Sequence, residues 1–287
     1  MAKQKIALLI DGDPVAFAGA SSSEVVHVFD GMYINQADMD LALQYTQSYI
    51  ESLKKELKAD LVINTLSCES RRYWRHAVMP TYKGGRKGPK GPICLADLKN
   101  LMMSYWETER WDNMEADDIL GILATDPNYL PDYKKIVVSI DKDMQTLPNV
   151  WIYNPDKDYQ PWFNSKERAD KFFLSQAIGG DTTDGYTGVY GVSVNSANAF
   201  LDDPFMWESY EHTFKSGQRK GLSETKWRKV GTSGCLWTDI VSLFLKAGQT
   251  EDDALANAQV ARICRASDWD AAKSEVLLWT PKRDGYV

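Results

Sequence analysis

Apolar residues in this chain fall into short bunches, and the bunches alternate with longer periodic stretches. Lys5 to Ile10 (KIALLI) is an apolar run cut off by Asp11-Gly12-Asp13, which predicts a buried strand. From Asp38 to Lys58, Leu41, Tyr45, Tyr49, Leu53 and Leu57 recur every four residues and predict an amphipathic helix begun by Asp38 or Asp40. Asp60 to Leu66 (DLVINTL) and Lys134 to Ile140 (KKIVVSI) read as further strands, as does Val150 to Tyr153. Helices are expected over Ile93 to Arg110, over Met114 to Thr125, and from an N-cap at Ser165 to about Ile178. Alternating strands and helices argue for an α/β domain with a largely parallel sheet.

Beyond Pro204 the pattern changes. Trp207 to Phe214 and Glu224 to Val230 read as a hairpin joined by Lys215-Ser216-Gly217-Gln218-Arg219-Lys220-Gly221, taken here as a solvated loop. Helices over Leu236 to Ala247 and Glu251 to Arg265 follow, then Val276 to Trp279. The expected division is an α/β core over 1–178 and a second region over 179–287.

The acids stand at particular places in this pattern. Asp11 directly follows one strand, and Asp141 and Asp143 follow another. In an open α/β sheet both groups face the crevice beyond the strands' carboxyl ends. Glu115 and Asp118 share one helix face with Asp117 flanking, Asp181 and Asp184 repeat that spacing after Gly179-Gly180, and Glu69 lies just past the second strand. Taken alone, Asp-Gly-Asp is more often a turn than a ligand set. Jointly, so many carboxylates in one cleft would repel unless divalent cations sat among them. Hard oxygen donors suit two Mg²⁺ ions, with Mn²⁺ as a substitute, meeting a phosphate ester.

Charge changes the picture less than it first suggests. The 287 residues carry a formal charge of −7, from 33 Lys and Arg against 40 Asp and Glu. Setting the nine candidate ligands aside leaves the remaining acids slightly outnumbered by the 33 basic residues. Between Arg71 and Lys90, Arg71, Arg72, Arg75, Lys83, Arg86, Lys87 and Lys90 occur with no acid, a local field suited to a polyanion. The glycines and prolines after Lys83 predict mobility there. Gly188, Gly191 and Ser193 form a glycine turn feeding a helix near Val194, and such a turn presents N–H groups to phosphate without reading sequence. No apolar segment is long enough for a membrane span, and no signal-peptide pattern opens the chain. The four cysteines lack zinc spacing, so reduced thiols and a cytoplasmic protein are expected.

Five segments in order resemble the 5′-nuclease superfamily of flap endonucleases and 5′→3′ exonucleases. They are Ile10-Asp11-Gly12-Asp13, Tyr82-Lys83-Gly84-Gly85-Arg86, Glu115-Ala116-Asp117-Asp118, Asp141-Lys142-Asp143 and Gly180-Asp181-Thr182-Thr183-Asp184-Gly185. Asp184-Gly185-Tyr186, Phe200-Leu201 with Pro204-Phe205, and Ala261-Arg262-Ile263 extend the likeness toward the enzymes of short-tailed coliphages. The resemblance implies a PIN-like fold with a helical arch over about 70–95 and a helix–three-turn–helix. It implies metal ligation by Asp11, Glu115, Asp117 and Asp118 near one cation and Asp141, Asp143, Asp181 and Asp184 near the other. Asp11, Asp141 and Asp181 would then be catalytic with Lys83, which neutralises the scissile phosphate. Tyr82 stacks on a base, while Arg72, Arg75, Arg86 and Lys87 contact backbone phosphate. Gly188, Gly191 and Ser193 grip duplex, with K⁺ as a further cofactor.

Three features depart from the family pattern, one being Gln176, which stands where some relatives carry a lysine or arginine ahead of the Gly-Asp motif. Glu69 stands for the aspartate relatives carry after the second strand, and Ser193 for a further glycine. The implied activity is hydrolysis of duplex DNA and RNA–DNA hybrids from 5′ ends, nicks, gaps or flaps. The implied setting is a phage-infected bacterial cell, in replication primer removal, recombination and nucleotide recycling. Two other readings stay open: a small-molecule phosphatase with Asp11 as nucleophile, and a DNA-binding protein without catalysis.

Overall fold

The computed structural model describes residues 4–85 and 91–286. The chain folds as two compact units. The first takes in 4–77, 91–170 and 263–277, and the second 78–85, 171–262 and 278–286.

The first unit opens with β1 (Lys5–Asp11), α1 (Gly12–Ser22), the antiparallel pair β2 (Glu24–Phe29) and β3 (Met32–Ala37), and α2 (Met39–Glu56). It continues through β4 (Leu61–Thr65), the single turn α3 (Arg75–Val78), α4 (Leu95–Tyr105), β5 (Thr108–Glu109) and α5 (Ala116–Thr125). Then come β6 (Tyr133–Val138), β7 (Val150–Tyr153) and β8 (Trp162–Asn164). The sheet order is β5-β4-β1-β6-β7-β8, parallel except for β8. The expected α/β fold is therefore present.

Side-chain alternation along the strands serves both faces. Leu9, Ile63 and Val137 pack against Ile119, Leu120 and Leu123 of α5, while Leu8, Ile10, Ile136 and Val138 pack against Val15 of α1 and Ile50 and Leu53 of α2. The inward stripe of α2 differs from expectation. Ala42, Thr46, Ile50 and Leu53 are buried, whereas Leu41 and Tyr45 are exposed. Close approach of α1 is the reason: a Cβ at Gly19 would collide with the Thr46 hydroxyl, so only small α2 residues fit there.

In the second unit, α6 (Lys166–Gly179, belonging from Lys171 on) precedes α7 (Val194–Asp202). An antiparallel ribbon, β9 (Met206–Thr213) with β10 (Ser223–Val230), leads to α8 (Leu236–Lys246) and α9 (Glu251–Ala261). Trp279 joins Phe173 and Trp237 edge-on, with ring centroids 5.3 and 5.4 Å away. All four cysteines are free thiols, and no described helix is long and apolar enough to cross a membrane.

Candidate active site

Three neighbouring parallel strands, β4, β1 and β6, end together, and their carboxyl ends carry the first acid group. Asp11 pairs in register with Thr65, and Ser139 lies one residue past β6. Ser139 links the two expected acids. Its hydroxyl donates to Asp11 Oδ2 at 3.0 Å and accepts the Asp141 N–H at 3.0 Å. Asp141 in turn accepts the Asp143 N–H at 2.8 Å, closing a single tight turn. On the other side Asp13 accepts from Lys99 Nζ at 2.7 Å and from the Ser67 N–H at 3.2 Å. The Ser67 hydroxyl accepts the Ala116 N–H at 3.0 Å, which ties the start of α5 to the same strand ends. Asp11, Asp13, Asp141 and the α5 acids are thus one hydrogen-bonded neighbourhood.

Within it the acids are not equivalent. Asp118 is fully buried, and its two oxygens accept four hydrogen bonds: Arg75 Nη1 at 2.6 Å, Arg75 Nη2 at 2.8 Å, Trp74 Nε1 at 2.9 Å and the Cys264 N–H at 3.0 Å. Those four bonds match a carboxylate's acceptor capacity and anchor Asp118 in the site. Glu115 also accepts from Arg75, at 2.7 Å, whereas Asp117 is half-buried at the first helical turn. The Arg75 side chain, expected at backbone phosphate, is 3% exposed and pairs with these two acids. Arg72 is exposed, as a backbone contact requires, and Glu69 is exposed outside this hydrogen-bonded group. Arg75 and Lys99 hold three of the acids, and no three acids among the described residues surround one ready-made cation position.

Charge left over after these pairings falls on Asp11. Burial, then repulsion from Asp13 and more weakly from Asp141, pushes its carboxyl from 3.8 up to about 7, despite the hydrogen bonds from Ser139 and Asp13. Asp118 moves the opposite way: burial is the largest single effect and would raise it, but the charge and hydrogen bonds of Arg75, with the Cys264 and Trp74 donors, together hold its carboxyl below the ordinary value. Burial, with Glu115 and Asp13 nearby, drives the Tyr73 phenol well above its ordinary value.

The Asp11 shift has a stability consequence of definite sign. Between the unfolded and folded values the native state holds a proton that the unfolded chain has lost, so stability falls as pH rises from about 4 to 7. The loss is on the order of 4 kcal/mol in metal-free protein. Asp11→Asn in EDTA should raise the thermal midpoint at pH 8 and flatten its pH dependence. A variant no more stable than wild type there would refute the buried-charge account.

The second unit carries the other acid pair. Asp181 Oδ1 accepts the Thr183 N–H at 2.8 Å and the Asp184 N–H at 3.4 Å, a side-chain turn that orders the Asp-Thr-Thr-Asp segment. Lys83 N–H donates to the Asp184 carbonyl at 2.8 Å, and Lys83 Nζ stands 3.9 Å from Asp184 Oδ2. Tyr82 is 4% exposed and its hydroxyl donates to Asp184 Oδ2 at 3.1 Å. The Tyr82 ring is thus inside, with its hydroxyl positioning a carboxylate.

The glycine turn is built by backbone crossing. Gly180 and Gly188 both have positive φ, and a Cβ on either would run into the backbone of the other's segment. Two buried side chains fasten it. Asn257 Oδ1 accepts the Gly188 N–H at 2.8 Å, while Gln249 donates to the Gly188 carbonyl at 2.9 Å and accepts the Tyr190 N–H at 3.0 Å. The Gly188 amide donates internally, to Asn257. Gly191 and Ser193 are exposed, and Ser193 caps α7 through the Ser196 N–H at 3.2 Å. Arg86 and Lys87 lie outside the described residues.

Sequence reasoning missed Arg75 as a buried clamp, along with Ser67, Lys99, Ser139, Gln249 and Asn257. Ser139 had a visible signal, a polar residue at the end of the apolar strand and just ahead of Asp141.

A family model described as the 5′-3′ exonuclease N-terminal resolvase-like domain matches residues 7–173. The exodeoxyribonuclease of Enterobacteria phage T3 is 33% identical over 289 residues, covering 96% of this chain and 93% of the relative. The exonuclease of Escherichia phage T7 is 32% identical over 288 residues, with the same coverage. In structure, the T5 D15 protein co-crystallised with metal ions superposes with a TM-score of 0.59 at 16% identity, covering 90% of this chain and 89% of that one, a likeness of fold. Matched by the family model over more than half its length, and by phage relatives across nearly all of it, the chain belongs to the 5′→3′ exonuclease family of nucleases.

Proposed function

We propose that this nuclease hydrolyses phosphodiester bonds of duplex DNA and RNA–DNA hybrids from 5′ ends, nicks, gaps and flaps, with divalent cations held by its carboxylates. The observation that carries this reading is the crowding of carboxylates at the strand ends, where Ser139 bridges Asp11 to Asp141 at 3.0 Å on each side and Asp13 stands against Asp11, a surplus of negative charge whenever all three ionise. A divalent cation relieves that surplus, and an all-oxygen donor set suits Mg²⁺ or Mn²⁺. Asp11, Asp117, Asp141 and Asp143 would hold one ion or share two, and Asp181 and Asp184 are the second unit's own candidate ligands. Such ions, when bound, lower the pKa of a water and stabilise the leaving oxygen of an in-line displacement.

The chain's own groups prepare that chemistry. Ser139 fixes Asp11 and Asp141 relative to one another, Arg75 neutralises Glu115 and Asp118, and Lys99 holds Asp13. Lys83 supplies positive charge for the scissile phosphate. Gly191 and Ser193 offer exposed backbone to a duplex, with K⁺ as a further ligand of the turn. The biological setting proposed is primer removal, recombination and nucleotide recycling during phage replication in the host cytoplasm.

A gel tests the central claim. A 5′-labelled flap and a 5′-labelled blunt duplex are each incubated with the protein in Mg²⁺ and in EDTA. Labelled mononucleotide from the duplex, a longer labelled fragment from the flap, and no product in EDTA are expected. Equal cleavage in EDTA would overturn the metal assignment, and intact substrates in Mg²⁺ the nuclease reading as a whole.

A further inference from the structure

The β9–β10 ribbon, read from sequence as a solvated loop, has features that a solvated loop does not need. Its eight paired positions run from Met206–Val230 to Thr213–Ser223. At about 3.3 Å per residue the strands reach roughly 25 Å. The root is fixed: the Trp207 N–H donates to Ser242 Oγ at 2.9 Å, and Phe205 meets Phe200 and Trp207 edge-on at 5.3 and 5.9 Å. Lys229 lies 3.7 Å over the Phe205 ring and Lys246 3.2 Å over Trp207, which holds both cations in place.

Charge is distributed unevenly along the ribbon. In its stem, Arg228 pairs with Glu208 and Lys226 with Glu224 at 3.3 Å, so the strands are close to neutral. The tip is different. No acid occurs between Glu211 and Glu224, while Lys215, Arg219 and Lys220 are all exposed. Arg219 is braced 4.0 Å over the Phe214 ring and 3.2 Å from Glu224, and no described acid pairs with Lys215 or Lys220. Gly217 and Gly221, both at positive φ, close the tip tightly, with Gly221 N–H donating to the Phe214 carbonyl at 2.9 Å. On a chain of net charge −7, an anchored ribbon whose strands are close to neutral and whose tip gathers Lys215, Arg219 and Lys220 around the single acid Glu224 is suited to a polyanion.

We propose that this ribbon is a second duplex-binding element, laying Lys215, Arg219 and Lys220 on the phosphate backbone of the nucleic acid that the glycine turn of the same unit engages. The inference rests on the nuclease reading above and adds a contact independent of the acids. A two-stranded ribbon is of a size that a major groove admits, and its reach corresponds to about seven base pairs at 3.4 Å each. Nothing on the tip is shaped to read a base edge, so the contact is indifferent to sequence.

The test removes the three charges together. Full-length Lys215→Ala/Arg219→Ala/Lys220→Ala is compared with wild type for binding a nicked duplex in Ca²⁺ across a KCl series, by fluorescence anisotropy. Three lost phosphate contacts should reduce the slope of log K against log salt by roughly two to three and weaken binding about tenfold or more at moderate salt. The thermal midpoint should stay put, since all three side chains are exposed. Lys55→Ala/Lys58→Ala/Lys157→Ala removes equal charge from the first unit and should leave the slope near wild type. An unchanged slope in the tip variant overturns the ribbon contact while the nuclease reading stands, as does an equal loss in the control. Wild type that binds no duplex at all overturns both.

Discussion

Replacing Arg75 by alanine is expected to destabilise the protein by about 3–5 kcal/mol, because it strands two acids in the interior. Asp118 is fully buried and Glu115 nearly so, and one guanidinium serves both. Trp74 and the Cys264 N–H would remain as neutral donors, too few to compensate a buried anion. Arg75→Lys should recover only part of the loss, since an ammonium cannot make the two-oxygen fork to Asp118 while reaching Glu115. Asp118→Asn added to Arg75→Ala should restore stability in part by removing the uncompensated charge. Urea unfolding measures all three. An Arg75 that served DNA instead would leave the unfolding midpoint alone and reduce the salt dependence of binding, the opposite pattern.

Asp141→Ala is expected to lower cleavage by roughly a thousandfold or more, about 4 kcal/mol of transition-state stabilisation, while duplex binding in Ca²⁺ persists. Ser139→Ala should do less. It leaves every proposed ligand in place and removes only the bridge between Asp11 and Asp141, so a loss of about 10–100-fold is expected. Single-turnover rates on a 5′-labelled duplex separate the two variants. If Asp141→Ala cleaved at the wild-type rate, the strand-end acids would have no part in the chemistry.

The strands were legible because KIALLI and KKIVVSI are unbroken apolar runs with acids directly behind them, and a parallel sheet brings such ends together. The β9–β10 ribbon was legible from its glycine-bearing joint. Helix α1 was not, because Val15, Ala16, Phe17 and Ala18 are apolar on all sides and display no period. The β2–β3 pair escaped for a related reason: Val25, Val26, Val28 and Phe29 are exposed on both faces, so alternation never appears. Arg75 sat within a run of basic residues, and composition cannot tell one buried cation from its neighbours. Its signal was the flanking Tyr73 and Trp74, which line the site. Gln249 and Asn257 lie some 60 and 70 positions from the turn they fasten, beyond the reach of any local pattern.

The crossing of Gly180 with Gly188 makes one machine part of two. Asp181 is the next residue after one glycine, and the exposed Gly191 lies three beyond the other, so neither segment slides without carrying its neighbour. Were duplex to seat on the exposed Gly191 as proposed, its position would be passed to Asp181 through that shared crossing, and substrate lacking a paired stretch would leave Asp181 unguided.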